Sequence, residues 1–128
     1  MNHFKDLRLL VVEDDVVLAE YLRRFFEEHQ MDVSVAADTY SAYRLLSDKK
    51  FEAVLLDVIL PDLNGFELLN LLQNQLLMSD KRIYLMSVLT QIQIKELGYR
   101  FGAQDYFIKP FHPEEVLNKM KEDFSFAY

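Results

Sequence analysis

Glu13, Asp14, Asp57, Ser87 and Lys109 are the residues of this chain best placed to do chemistry together, because each follows a short apolar, strand-like run. The runs are Leu9-Leu10-Val11-Val12, Ala53-Val54-Leu55-Leu56, Ile83-Tyr84-Leu85-Met86 and Tyr106-Phe107-Ile108. If they are parallel strands of one sheet, all five side chains gather at its carboxyl edge, where open α/β sheets bind their ligands. Three carboxylates, a hydroxyl and an ammonium at one edge suit a hard divalent cation, which takes oxygen donors, and a phosphoryl group.

Taken singly, none of these residues is diagnostic. An acidic run such as Glu13-Asp14-Asp15 ordinarily caps a helix start in a favourable dipole field. Asp57 alone is a strand-end turn residue, Tyr106 alone is sheet packing, and Lys109 alone is a solvated charge. Ser87 carries little individual signal. Their joint arrangement at four strand ends is what points to a site.

The elements that must position them alternate along the chain. A strand at 8–12, almost wholly apolar and so covered on both faces, precedes a helix at 15–29 with Asp15 as its cap. Leu18, Tyr21, Leu22, Phe25 and Phe26 recur there at helical spacing. A short strand at 33–36 leads to a helix capped by Asp38 or Thr39 and bearing Tyr43, Leu45 and Leu46. The strand at 53–56 ends in a turn cluster, Pro61-Asp62-Leu63-Asn64-Gly65, before a stripe of Phe66, Leu68, Leu69, Leu71 and Leu72. A strand at 82–86 and a helix at 91–101 follow. Gly98 weakens that helix by ~1 kcal/mol relative to alanine, and Gly102 ends it. A strand at 105–108 and a helix opened by Pro113 complete five βα units. Such alternation implies right-handed crossovers and a doubly wound parallel sheet with helices on both faces.

Composition bounds the function. A length of 128 residues makes one domain with a proper core. A net charge of −7 argues against direct nucleic acid binding, which needs a basic surface. The absence of cysteine excludes disulfides and thiolate metal sites. His3, His29 and His112 are scattered, without ligand-like spacing. No apolar stretch is long enough for a membrane helix, and residues 1–6 contain no signal-peptide hydrophobic region. The expectation is a cytoplasmic protein with protein partners.

The segments Val11-Val12-Glu13-Asp14-Asp15, Leu56-Asp57-Val58-Ile59-Leu60-Pro61-Asp62-Leu63-Asn64-Gly65, Leu85-Met86-Ser87 and Lys109-Pro110-Phe111 resemble the signature blocks of response regulator receiver domains of two-component signalling, of the chemotaxis-regulator type. They stand in order, with Asp14, Asp57, Ser87 and Lys109 separated by 43, 30 and 22 positions. The resemblance covers about 7–123, with the receiver domain expected at 1–123 and a tail or linker start at 124–128. It implies a flavodoxin-like (βα)5 fold with strand order 2-1-3-4-5.

That resemblance also implies roles. Asp57 is the phosphoacceptor, taking a phosphoryl group from a histidine kinase or histidine phosphotransfer protein. A divalent cation, Mg²⁺, is held by Asp14 directly, Glu13 through water, Asp57 and the backbone carbonyl of Ile59. Lys109 pairs with the acceptor at rest and with a phosphoryl oxygen afterwards. Ser87 donates to another phosphoryl oxygen, and Tyr106 is the aromatic that turns inward as Ser87 moves. Lys109-Pro110 is a cis peptide, and Gly65 belongs to the signature turn. The domain is a signalling module rather than an enzyme, at most catalysing its own phosphorylation and dephosphorylation. Output passes through the fourth helix, fifth strand and fifth helix to a protein target or fused effector, with a homodimer among the possible phosphorylated forms.

Three residues shape access and lifetime. Val88 stands where the family favours alanine or glycine, which narrows the approach of bulky donors. Ile59 and Leu89 are apolar and unable to position water, which suggests slow self-dephosphorylation. Phe111, Phe124, Phe126 and Tyr128 are apolar residues for the core or for a partner. The alternative reading is a phosphorylation-independent interaction domain, for which Val88 is the best support. An aspartyl phosphohydrolase would need a second acid where Ile59 stands. A flavin-binding domain would need a Ser/Thr/Gly-rich loop after the first strand, where three acids stand instead.

Overall fold

The computed structural model describes residues 4–74, 80–90 and 92–124. Ten elements alternate: β1 (Arg8–Val12), α1 (Val16–Glu28), β2 (Asp32–Ala36), α2 (Thr39–Asp48), β3 (Ala53–Asp57), α3 (Gly65–Asn74), β4 (Arg82–Ser87), α4 (Ile92–Arg100), β5 (Asp105–Ile108) and α5 (Pro113–Asp123). All strand pairs are parallel, in the order β2-β1-β3-β4-β5. This is the doubly wound architecture expected from the sequence.

The two-residue period of the strands divides the core into two layers. Leu10, Val12, Val54, Leu56, Ile83 and Leu85 point to one face and pack with Ala42 and Leu46 of α2, Leu68 of α3 and Tyr106. Leu9, Val11, Ala53, Leu55, Tyr84 and Met86 point to the other, against Leu22 and Phe26 of α1 and Val116, Leu117 and Met120 of α5. Burying each of these large side chains contributes about 1.5–3 kcal/mol. The central strands read as unbroken apolar runs because both faces are covered. Tyr84 is fully buried, and its hydroxyl donates to Asp123 Oδ2 at 2.6 Å, so this polar group enters the core with a partner.

Element ends follow local chemistry. Asp15 lies outside α1 and caps it, accepting from Val17 N at 3.0 Å and Leu18 N at 3.2 Å. Asp38, not Thr39, caps α2 through Ser41 N at 2.8 Å. Asn64 accepts from Glu67 N at 2.9 Å, so α3 begins at Gly65 rather than after it. Gly102, at φ 93°, takes the left-handed conformation that stops α4.

Several sequence expectations are corrected. β3 and β4 each run one residue further, so Asp57 and Ser87 are the last residues of their strands rather than the first of a loop. Tyr21 of the α1 stripe is exposed, and the inward face is completed by Ala19, a residue too small to register in an apolar pattern. Tyr43 and Leu45 are only half-buried, while Thr39 and Ala42 go inside. Phe124 is buried against the α1–α5 layer with the Arg82 guanidinium over its ring, so it is core rather than a partner contact. Phe111 also packs on that layer, whereas Phe126 and Tyr128 lie outside the described residues. The α3 side chains of Leu69, Leu71 and Leu72, and residue Gln91, also lie outside what is described. Gly98 answers to close packing, since a Cβ there would stand 2.6 Å from Leu85 Cδ1. Among the described residues no helix is long and apolar enough to cross a membrane.

Candidate functional site

The strand order reverses at β1 and β3, since β2 lies to one side of β1 and β3, β4 and β5 to the other. Chain crossovers diverge there, opening a crevice beyond the carboxyl ends of the strands. Glu13 and Asp14 follow β1 and Asp57 ends β3, so the topology itself brings the acids together. Carboxylate oxygens of Glu13, Asp14 and Asp57 all lie within 4.8 Å of one another.

The three acids differ in setting. Glu13 is 1% exposed, Asp57 is 4% exposed, and Asp14 is open to solvent. Lys109, just after β5, reaches across the sheet edge. Its Nζ donates to Asp57 Oδ2 at 2.8 Å and also forms an ion pair with Glu13 Oε1. The other acceptor oxygen, Asp57 Oδ1, takes the Ile59 backbone N–H at 2.9 Å. Glu13 Oε2 takes the Asp15 N–H at 3.1 Å. The Lys109 main chain is held by its N–H to Ser87 O at 2.8 Å, and Lys109-Pro110 is cis.

One ammonium stands among three acids, so the pocket is formally anionic. Burial pushes the Glu13 carboxyl up to about 7, although the Lys109 and Asp15 hydrogen bonds pull it down. Burial alone would lower the Lys109 ammonium, but its bonds to Asp57 and Glu13 prevail and hold it above its ordinary value. A raised carboxyl pKa favours the folded state fully below the ordinary value of 4.5, and that contribution is lost as pH rises through about 7. In cation-free buffer, therefore, Glu13→Gln should gain stability over the native chain as pH rises from about 5 to 8. Thermal melts of both proteins across that range check this, and parallel pH profiles would contradict it.

A cavity of about 290 Å³ opens over the acids. It is lined by Ile59, Leu60, Pro61 and Val88 together with Lys109 and the acids. Val88 is 62% exposed and Ile59 47% exposed at its mouth. Ser87 is fully buried one residue before Val88, with its Oγ accepting from Leu89 N at 3.1 Å. Leu89 is half-buried against the core and does not line the cavity, so the apolar shielding at the mouth falls to Ile59 and Val88. Tyr106 is already inward, 6% exposed, with its hydroxyl donating to Leu89 O at 3.0 Å. Burial raises its pKa, so it acts here as a neutral donor.

The donor set fits Mg²⁺. Every available ligand is a hard oxygen, and oxygens on an octahedral Mg²⁺ lie about 3–4 Å apart. Burial is the main cause of the raised Glu13 pKa and the neighbouring Asp57 charge a smaller one, so added positive charge there would favour the ionised carboxylate. A larger cavity, about 510 Å³, lies at the opposite, amino edge beside the Arg8–Glu52 ion pair, away from these groups.

Sequence reasoning missed the pairing of Asp62 with Thr39. The Asp62 carboxylate in the β3–α3 loop accepts from Thr39 N at 3.1 and 3.2 Å and from the Thr39 hydroxyl. The one available signal was Asp62 within the turn cluster, and nothing there named its partner.

Residues 9–121 match the family model of the response regulator receiver domain. The transcriptional regulatory protein CrdR of Helicobacter pylori is 31% identical over 118 residues, covering 92% of this chain and 55% of that protein. The receiver domain of Francisella response regulator 1452 superposes with a TM-score of 0.87 at 27% identity, covering 96% of this chain and 100% of that one. A Burkholderia pseudomallei response regulator, solved with a phosphorylated aspartic acid, a calcium ion and citrate, gives a TM-score of 0.83 at 28% identity, over 95% of this chain and 71% of that one. The chain spans about half the length of the curated relatives it matches.

Proposed function

This chain belongs to the response regulator receiver domain family, and from that premise we propose that Asp57 accepts a phosphoryl group from a phosphohistidine on a kinase or phosphotransfer protein. The observation that supports it most is the setting of Asp57. Its carboxylate sits at the base of an open cavity, with one oxygen on Lys109 Nζ and the other on the Ile59 amide.

In the transfer, an Asp57 oxygen forms the bond to phosphorus as the bond from phosphorus to the donor nitrogen breaks. An anion is thereby asked to approach an anion, and phosphoryl transfer depends on neutralising that charge. Mg²⁺, when bound by Asp14, Glu13, Asp57 and the Ile59 carbonyl, supplies charge neutralisation for the transferring oxygens. Lys109 is placed to follow the charge, exchanging its bond to Asp57 for one to a phosphoryl oxygen. The Ser87 hydroxyl can then turn from its present acceptor role toward another phosphoryl oxygen. Leu89 N bonds to Ser87 Oγ and Leu89 O receives the Tyr106 hydroxyl, so a shift of Ser87 is felt at Tyr106 through one residue.

The surface formed by α4, β5 and α5 borders this relay and carries exposed Ile92, Tyr99 and Ile108. It serves as the output face in this reading, contacting a protein target, a fused effector or a second copy of the chain. The relatives named as transcriptional regulators support an output on transcription, and in this reading a partner or further domain exerts it, since a net charge of −7 disfavours nucleic acid contact here.

Incubation with Mg²⁺ and a small phosphodonor, read by intact mass, tests the proposal. The expected result is one added phosphoryl group, and none when the cation is chelated. No gain with either a small donor or a histidine kinase would leave the interaction-domain reading in its place. The apolar mouth gives a second expectation: Ile59→Asn should speed decay of the phosphorylated protein by about tenfold, toward what a positioned water-orienting group contributes. A lifetime unchanged or longer in that variant would count against shielding by Ile59.

A further inference from the structure

We propose that Asp62 is a positioning residue for the cation and phosphoryl site, acting through a clamp onto the start of α2; this rests on the reading of Asp57 given above. Asp62 is exposed, and Thr39, its partner 23 positions away, is 7% exposed. The Asp62 carboxylate takes the Thr39 N–H at 3.1 and 3.2 Å, the Thr39 hydroxyl, and the Leu63 N–H at 3.1 Å. Thr39 is the first residue of α2, so its N–H has no partner inside the helix. Negative charge there is also favoured by the helix dipole.

The helix does not need Asp62 to be capped. Asp38 already serves Ser41 N at 2.8 Å from within the same chain segment. What Asp62 adds is a tie between α2 and the loop leaving β3. That loop is a wall of the cavity, through Ile59, Leu60 and Pro61. Its beginning is fixed by Val58 N–H to Met86 O at 3.0 Å and by Ile59 N–H to Asp57 Oδ1 at 2.9 Å. Farther along, Asp62 ties it to α2, and Asn64 at its end pairs with Ile59 and caps α3. The Ile59 amide aims the acceptor carboxylate, so holding the loop at both ends holds Asp57 Oδ1 in place. The Ile59–Asn64 bridge closes the loop on itself, so a loop released at Asp62 shifts as a unit and strains the bond by which the Ile59 amide holds Asp57 Oδ1.

The test compares the full chain with Asp62→Ala, Asp62→Asn, Thr39→Val and Asp38→Ala. Mg²⁺ affinity is read by calorimetry, phosphorylation by intact mass, and folding by thermal melts. Asp62→Ala should weaken Mg²⁺ binding by about tenfold, as loss of outer-shell support does. Thr39→Val, which keeps the amide donor, should weaken it less, and Asp62→Asn, which keeps an acceptor oxygen, should restore part of it. Asp38→Ala removes a cap from the same helix without touching the loop, and should lower melting while leaving Mg²⁺ affinity unchanged. Unchanged affinity in Asp62→Ala, or equal weakening in Asp38→Ala, would overturn the clamp and reduce Asp62 to a helix cap. A native chain that neither binds Mg²⁺ nor gains phosphate would overturn the reading of the site and the clamp with it.

Discussion

Asp57→Asn should gain no phosphoryl group under conditions that fully modify the native chain, while keeping its fold. The amide oxygen carries no charge and is not a nucleophile, so the transfer has no acceptor. The substitution is close to isosteric, and the amide oxygen can still take the Ile59 N–H that Asp57 takes at 2.9 Å. Lys109 keeps Glu13 as a partner. The native charge on Asp57 is one of the causes raising the Glu13 pKa, so its removal should let Glu13 ionise at lower pH. Circular dichroism and intact mass on the two proteins check both parts. A phosphoryl group gained equally by both would place the acceptor elsewhere.

Lys109→Met should destabilise the cation-free protein by about 3 kcal/mol near pH 8, because it leaves two buried carboxylates without their counter-charge. Their side chains are 1% and 6% exposed, so water does little to screen them. The sign with pH is definite. The Lys109 hydrogen bond lowers the Glu13 pKa, so without it that pKa moves further above about 7. The penalty is then largest above neutrality and shrinks as pH falls and Glu13 takes a proton in both proteins. Mg²⁺ should also reverse it, by binding the folded state alone. Removing the competing ammonium should tighten Mg²⁺ binding by about tenfold or more, since unit charges ~4 Å apart interact by roughly 1–4 kcal/mol. Phosphorylation should nonetheless slow, because a partner for the phosphoryl oxygens is gone. Urea unfolding at acid and alkaline pH, with and without Mg²⁺, separates these effects; a pH-independent loss would contradict the charge argument.

What was legible in the sequence is what periodicity and strand-end position encode. Strands covered on both faces read as apolar runs, and parallel alternation sends every strand end to one edge, so Glu13, Asp14, Asp57 and Lys109 converge on positional grounds. The sheet order places β1 beside β3, which turns that convergence into a cluster. Pairings between distant side chains were not legible. Tyr84 reads as one more apolar strand residue, yet its hydroxyl meets Asp123 across 39 positions. Asp62 reads as a turn former, although its carboxylate holds a helix start. The acidic run also hides a division of labour, since Glu13 is buried on Lys109 and Asp15 caps α1 while Asp14 faces water. Alternation places residues along a strand, but it does not tell which neighbour a loop residue will turn toward. Tyr106 shows the same limit: the resemblance implies an aromatic that turns inward as Ser87 moves, but the strand pattern did not disclose the bond its hydroxyl makes to Leu89 O.

The most direct measurement is the location of the phosphoryl group after reaction with Mg²⁺ and a small donor. Reductive trapping of the acyl phosphate, followed by peptide mapping, should find modification at Asp57 and nowhere else. Reductive label on Glu13 or another carboxylate, or a phosphoserine or phosphohistidine peptide in the unreduced sample, with Asp57 untouched would contradict the account.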